Sequence, residues 1–263
     1  LHGPAAWHYL DNLATLVAQG KVVGIQHRLP LRGSDITGLQ ELLTCGVKGT
    51  AAYADHALIL GKEDPAVFAF FHEALAFLAA EPTDIGALLK MIDRCGAVNL
   101  RVMELLDAAN TGAYGHPVPT KVRIEPLKGK AILVSGHDLK DLEELLRQTE
   151  GKGINVYTHG EMLPAHGYPG LKKYKHLVGN YGGAWQEQKA EFAAFPGAIL
   201  MTTSCLMRPQ QADEKRLFTA GVVGWPGIAH IPARNYQPVI QAALAADGFQ
   251  TDAPEKTILT GFG

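Results

Sequence analysis

The sequence predicts a two-part α/β chain: a helical bundle over residues 1–118, followed by a parallel-sheet α/β domain over residues 119–263. Three observations carry that reading. Apolar residues recur at helical spacing through the first part. The segment Asn110 to Thr120, NTGAYGHPVPT, holds two prolines and two glycines without periodicity and marks the boundary. Beyond it, short apolar runs alternate with helical stretches, the pattern of a parallel sheet covered on both faces.

In chain order, Trp7 to Gln19 places Trp7, Leu10, Leu13, Leu16 and Val17 on one helical face, closed by Gly20. Lys21 to Gly33 reads as a looser stretch, with Pro30 and Gly33 as breakers. Ser34 or Asp35 then caps a helix from Ile36 to about Leu60, whose stripe runs through Leu39, Leu42, Leu43, Val47, Ala51, Ala54 and Leu58. Gly46 and Gly49 lie inside it. Each costs about 1 kcal/mol of helix propensity, so close approach of a neighbour is expected there. Asp64-Pro65 opens the next helix, which buries Val67, Phe70, Phe71, Ala74, Leu75 and Leu78 before Pro82. Thr83 or Asp84 caps a fourth through Ile92, continuing or re-forming over Ala97 to Ala109. In the second part, Lys130–Ser135, Gly153–Thr158, Ala198–Thr203 and Leu217–Val223 are expected strands, and Asp138–Gln148 an amphipathic helix. The result is a Rossmann-like arrangement, which binds ligands beyond the carboxyl ends of its strands.

Composition narrows the function. A net charge of −2, with no long Lys/Arg run, gives no field for nucleic acid or an anionic membrane. No apolar stretch reaches membrane-spanning length, and the amino end lacks a signal-peptide pattern, so a cytoplasmic protein is expected. Cys45, Cys95 and Cys205 are too scattered for a disulfide framework. The chain begins at Leu1 rather than methionine, which suggests processing or a piece of a longer polypeptide.

The densest chemistry lies between Ile154 and Trp185. An apolar strand breaks at Gly160 into a run holding His159, Glu161, His166, Tyr168, His176 and Trp185. His137 follows one strand, Glu161 a second and Cys205 a third. Three successive strands thereby send an imidazole, a carboxylate and a thiol to one edge, a mixed donor set that suits iron or zinc rather than magnesium or calcium. Each residue also has an ordinary explanation: His137 as the start of a helix capped by Asp138, Glu161 as a partner of a helix dipole or of His159, Cys205 as a small buried hydrophobe. Cys95 reads as core, Trp185 as packing or as lining a substrate route, and Lys172, Lys173 and Lys175 as a solvated basic cluster at which an acidic redox partner could dock.

The segments SGHDLKDLEELL, NVYTHGEMLPAHGYPGLKKYKHLVGNYGGAWQEQ, ILMTTSC and GVVGWPGIAHI closely resemble the hybrid-cluster proteins, also called prismane proteins or hydroxylamine reductases. The likeness runs from about Lys128 to Ile231 and resumes at Ile258 to Gly263; GVKGTAAYADHALILG resembles the first helical bundle of that family. The resemblance implies that His137, Glu161 and Cys205 are cofactor-binding ligands of a hybrid iron–sulfur–oxygen cluster. It implies reduction of hydroxylamine to ammonia, or of nitric oxide, with electrons from a redox donor. His159, His166 and Tyr168 are the candidate proton donors, on proximity in sequence alone.

Two departures matter. The family's amino-terminal cysteine motif is missing: Cys45 stands alone before Gly46, so no cubane-cluster ligand set is present. The family's further α/β domain, with more cysteines and a glutamate, does not follow Gly263. The expectation is a fragment or split subunit whose remaining ligands come from a second polypeptide. The competing expectations are a divergent interaction module without redox chemistry, or a mononuclear metal hydrolase on His137, Glu161 and Cys205.

Overall fold

A computed structural model describes residues 13–262, and Trp7 and Leu10 of the first expected helix lie outside them. The chain divides into two compact units, one ending at Asp107 and the other starting at Ala108.

The first unit is helical: α1 (Leu13–Val23), α2 (Ile25–Ile59), α3 (Pro65–Ala79) and α4 (Ile85–Tyr114), the last continuing into the second unit. The expected loose stretch is helical instead. Pro30 and Gly33 act inside α2 rather than between helices, and Gly33 alone leaves helical geometry, at φ 79°. Glycine can adopt that conformation freely, so the helix turns there and resumes. Asp64 caps α3 by accepting from the Ala66 amide, followed by Pro65 in the first turn, as the sequence indicates. The fourth helix does not break near Cys95. It runs on to Tyr114, through the first part of the Pro/Gly segment.

Leu43 and Val47 of α2, Phe70 and Ala74 of α3 and Cys95 of α4 form the bundle core, continued by Ala54, Val67 and Val102. Gly46 does allow a close approach: a Cβ there would lie 3.1 Å from Cys95 Sγ, whereas nothing lies within 4 Å of one at Gly49. Leu42, Leu58 and Leu75, which the spacing places on buried stripes, are exposed. The buried face of α2 is narrower than its apolar pattern, and Thr37, Gln40 and Thr50 fill part of it instead.

The second unit is an α/β layer. Its strands are β1 (Thr120–Arg123), β2 (Lys130–Ser135), β3 (Ile154–His159), β4 (Leu177–Tyr181), β5 (Ala198–Met201), β6 (Leu217–Ala220), β7 (Ala229–Ile231) and β8 (Thr257–Thr260). Six of them form a parallel sheet in the order β4-β3-β2-β5-β6-β7. The connecting helices are α5 (Leu139–Thr149), α6 (Pro169–Lys172), α7 (Gln188–Ala194) and α8 (Gln237–Ala245). β8 does not extend this sheet. It pairs antiparallel with β1 in a separate two-stranded ribbon, Thr120 opposite Thr260.

Both faces of the sheet are covered, which is why β2 reads as an unbroken apolar run. Ala131, Leu133, Tyr157, Ile199 and Met201 pack on Phe192 and Phe195, while Ile132, Val134 and Val156 are buried on the alternate positions of the same strands. The strand registers place Val134 opposite Thr158 and Ser135 opposite Met201, so β2, β3 and β5 end nearly level. Just beyond those three ends lies the candidate site.

Candidate metal centre

His137, Glu161 and Cys205 leave three strands that are adjacent in the sheet but not consecutive in sequence, because β4 lies between β3 and β5 in the chain. One donor atom from each, an imidazole nitrogen, a carboxylate oxygen and the thiol sulfur, lies within 4.8 Å of the others. His137 Nε2 is 3.0 Å from Glu161 Oε2, and His137 Nδ1 is 3.4 Å from Cys205 Sγ. The histidine thus stands between the acid and the thiol.

Two glycines make the convergence possible. Gly136, at φ 114°, carries the chain from β2 into His137; a Cβ there would lie 2.4 Å from Thr202 Oγ1 and 2.8 Å from the Thr203 amide nitrogen. Gly160, at φ 51°, does the same after β3, where a Cβ would lie 2.6 Å from the Gly183 carbonyl oxygen. Neither position has room for a side chain. After β5 the chain leaves the sheet at Thr202, earlier than expected. Thr202 Oγ1 ties that turn to the Ser135 carbonyl, and Thr203 Oγ1 lies 3.2 Å from His137 Nδ1 and 3.4 Å from Cys205 Sγ. Gln188 pins the loop beyond, donating to the Cys205 carbonyl and accepting from the Met207 amide.

The electrostatics favour a thiolate. The hydrogen bond to His137 lowers the Cys205 thiol below its ordinary range against the opposing effect of partial burial. The same bond, ahead of the Glu161 charge, raises the His137 imidazole. Cys205 is exposed, not a buried hydrophobe. Asp138 does cap α5, accepting from the Lys140 and Asp141 amides, so the helix start beside His137 and the convergence are both present. Glu161 faces His137 rather than His159.

A small open cleft sits over these groups, lined among others by Ser135, His159, Glu161, Trp185, Gln188 and Cys205. Trp185 lines this cleft, the second of its two expected roles, and is 60% exposed rather than packed. His159 lines it and is buried, its Nδ1 2.9 Å from Ser135 Oγ and its Nε2 2.8 Å from Glu191 Oε2. His166 and Tyr168 are not among the lining residues. His166 Nε2 lies 2.9 Å from Thr158 Oγ1, and burial lowers its imidazole to about 4. Tyr168 stacks edge-on against Tyr114, centroids 6.1 Å apart. His230 pairs with Thr219 on the outer strand β7. Ser135, Gln188 and Glu191 carry no motif by spacing: Glu191 comes 32 residues after His159, and only the fold brings the two together.

The chemistry of the donor set fits a transition metal or an iron-containing centre. It offers one nitrogen, one oxygen and one sulfur, a pre-lowered thiol, and an open side to the cleft. Among the described residues no helix is long and apolar enough to cross a membrane.

Comparison with known proteins points the same way. Residues 8–258 match the family model described as Prismane/CO dehydrogenase family. A hydroxylamine reductase of Syntrophobacter fumaroxidans is 59% identical over 251 residues, 95% of this chain and 46% of that protein. One of Rhodospirillum rubrum is 59% identical over 263 residues, 100% of this chain and 48% of that protein. The chain therefore spans about half the length of the curated relatives it matches. A solved structure of the alpha subunits of an acetyl-CoA synthase/carbon monoxide dehydrogenase aligns with TM-score 0.53 at 13% identity, covering 97% of this chain and 44% of that one, which speaks to the fold alone. On the family match across nearly all of its length, the chain belongs to the Prismane/CO dehydrogenase family.

Proposed function

We propose that His137, Glu161 and Cys205 form one corner of a hybrid iron–sulfur–oxygen cluster in an oxidoreductase that reduces hydroxylamine, with nitric oxide as the alternative substrate. The observation that carries this is the meeting of nitrogen, oxygen and sulfur donors within 4.8 Å at the ends of three adjacent strands. Names of relatives more than half identical to the chain support the substrate class. Three protein donors are fewer than a multi-iron cluster takes, so the remaining ligands come from groups outside these 263 residues.

Such a centre supplies open iron positions and electrons received from a redox donor. Reducing hydroxylamine to ammonia and water consumes two electrons and two protons and breaks the N–O bond. The chain's own residues hold the centre and shape the cleft. Of the three candidate proton donors, His159 is the one that lines the cleft, held there between Ser135 and Glu191. His166 lies within, and Tyr168 caps, the 3₁₀ segment that presents Glu161.

The test is co-expression of the chain with the complementary half of the Rhodospirillum rubrum hydroxylamine reductase, purified without oxygen and assayed for iron, acid-labile sulfide and hydroxylamine-dependent oxidation of a reduced dye. Iron with sulfide, lowered by His137→Ala, Glu161→Ala or Cys205→Ser, is expected. A single zinc would support a mononuclear hydrolase instead, and no metal an interaction module; either result overturns the proposal.

A further inference from the structure

Behind the donor triad lies a second, buried constellation that the metal reading does not use. His159 is held from three sides: Ser135 Oγ at Nδ1, Glu191 Oε2 at Nε2, and the Phe192 ring edge-on at 5.1 Å. The other oxygen of Glu191, Oε1, accepts from the Gly183 amide at 2.7 Å, so both carboxylate oxygens are occupied, one by the ring and one by the loop over the cleft. Gly182 makes this packing possible. It sits at φ 78°, and a Cβ there would lie 2.6 Å from Glu191 Oε2 and 2.9 Å from His159 Cδ2.

The hydrogen-bond inventory gives this arrangement a direction. A carboxylate only accepts, so the ring nitrogen facing Glu191 must carry the hydrogen. In a neutral imidazole the other nitrogen, Nδ1, is then a bare acceptor, and the one proton of the Ser135 hydroxyl is spent on it. Ser135 Oγ is left with lone pairs alone to offer to the cleft that Ser135 lines.

We propose that Glu191 is a positioning residue: by fixing the Nε2–H tautomer of His159 it turns the Ser135 hydroxyl into an obligate hydrogen-bond acceptor at the cleft wall, selecting small ligands that bring an N–H or O–H donor. Resting on the assignment of the cleft as the substrate site, this favours hydroxylamine, which carries both donors, over nitric oxide, which carries neither.

The tautomer itself is testable on the chain as it stands, without any metal, so that failure here is separable from failure of the cluster reading. Long-range ¹H–¹⁵N correlation spectra of histidine-labelled protein are expected to show His159 as the Nε2–H form, with a slowly exchanging Ser135 hydroxyl proton coupled to Nδ1. In Glu191→Gln the amide oxygen can still serve Gly183, but its NH₂ then faces Nε2. The expected result is a switch to the Nδ1–H form and loss of the slow hydroxyl signal. Ser135→Ala leaves Glu191 in place, and is expected to keep Nε2–H while shifting the Nδ1 resonance. A wild-type ring that is Nδ1–H or doubly protonated at neutral pH overturns the proposal, whether or not Glu191→Gln folds. So does a Glu191→Gln ring indistinguishable from wild type.

Discussion

His166 ties the stability of the α/β unit to pH in a way that can be worked out in sign and size. It lies in the 3₁₀ segment that presents Glu161, 5% exposed, and burial holds its imidazole at about 4, far below the ordinary 6.5. Below pH 6.5 the unfolded chain takes up a proton at this residue that the folded chain refuses. Stability is therefore fully present above 6.5, and is lost as pH falls toward about 4. A depression from 6.5 to about 4 corresponds to a loss on the order of 3 kcal/mol, at about 1.4 kcal/mol per pH unit. The perturbation is acidification from pH 7 to 4 in wild type and in His166→Gln, which cannot titrate. Urea unfolding of each protein gives the midpoint at each pH, and NMR titration of the His166 ring gives its pKa directly. The variant is expected to be less stable at pH 7, because the Thr158 contact is disturbed, but to lose less stability between pH 7 and 4 than wild type does. A His166 ring that titrates near 6.5, or equal acid losses in both proteins, would refute the reasoning.

Other perturbations probe the remaining links. Gly136→Ala places a methyl group against Thr202 and Thr203 at a positive φ, and should cost roughly 2–4 kcal/mol in denaturant unfolding while abolishing the spectral signature of cobalt(II) at the triad. Asp138→Ala removes the α5 cap and a partner of Arg234, with a loss of about 1–2 kcal/mol expected from the same measurement. Phe70→Ala empties the centre of the bundle core and should cost about 3–5 kcal/mol in the helical unit, with the His166 ring resonances unmoved. Cys205→Ser should weaken cobalt(II) binding at least tenfold, since a hydroxyl replaces the one sulfur donor.

Much of the fold is legible in the sequence, because short-range rules act where the chain is regular. The apolar run Ala131–Val134 is too short for a core helix and fits a strand buried on both faces, and Asp64-Pro65 marks the start of a helix by its own chemistry. The strand-then-glycine pattern is enough to single out His137 and Glu161. Where the sequence misleads, a longer-range balance prevails. Pro30 and Gly33 look like the ends of a segment, yet the helix reforms beyond them, and Leu42 and Leu58 are as apolar as Leu43 but lie on an exposed face. The carboxyl-terminal run Thr257–Thr260 stays out of the parallel sheet, because β1 takes it as an antiparallel partner.

The sequence by itself therefore marked four strands of the sheet, the helix starts at Asp64-Pro65 and Asp138, and the chemical identity of the three donors, because propensity, capping and periodicity depend on neighbours a few residues apart. Only the tertiary structure decided that β2 lies between β3 and β5, which brings His137 between Glu161 and Cys205. It alone brought Glu191 to His159 across 32 residues of chain. Sheet order and packing are fixed by contacts between distant segments, and no local pattern of residues encodes which strand end will face which.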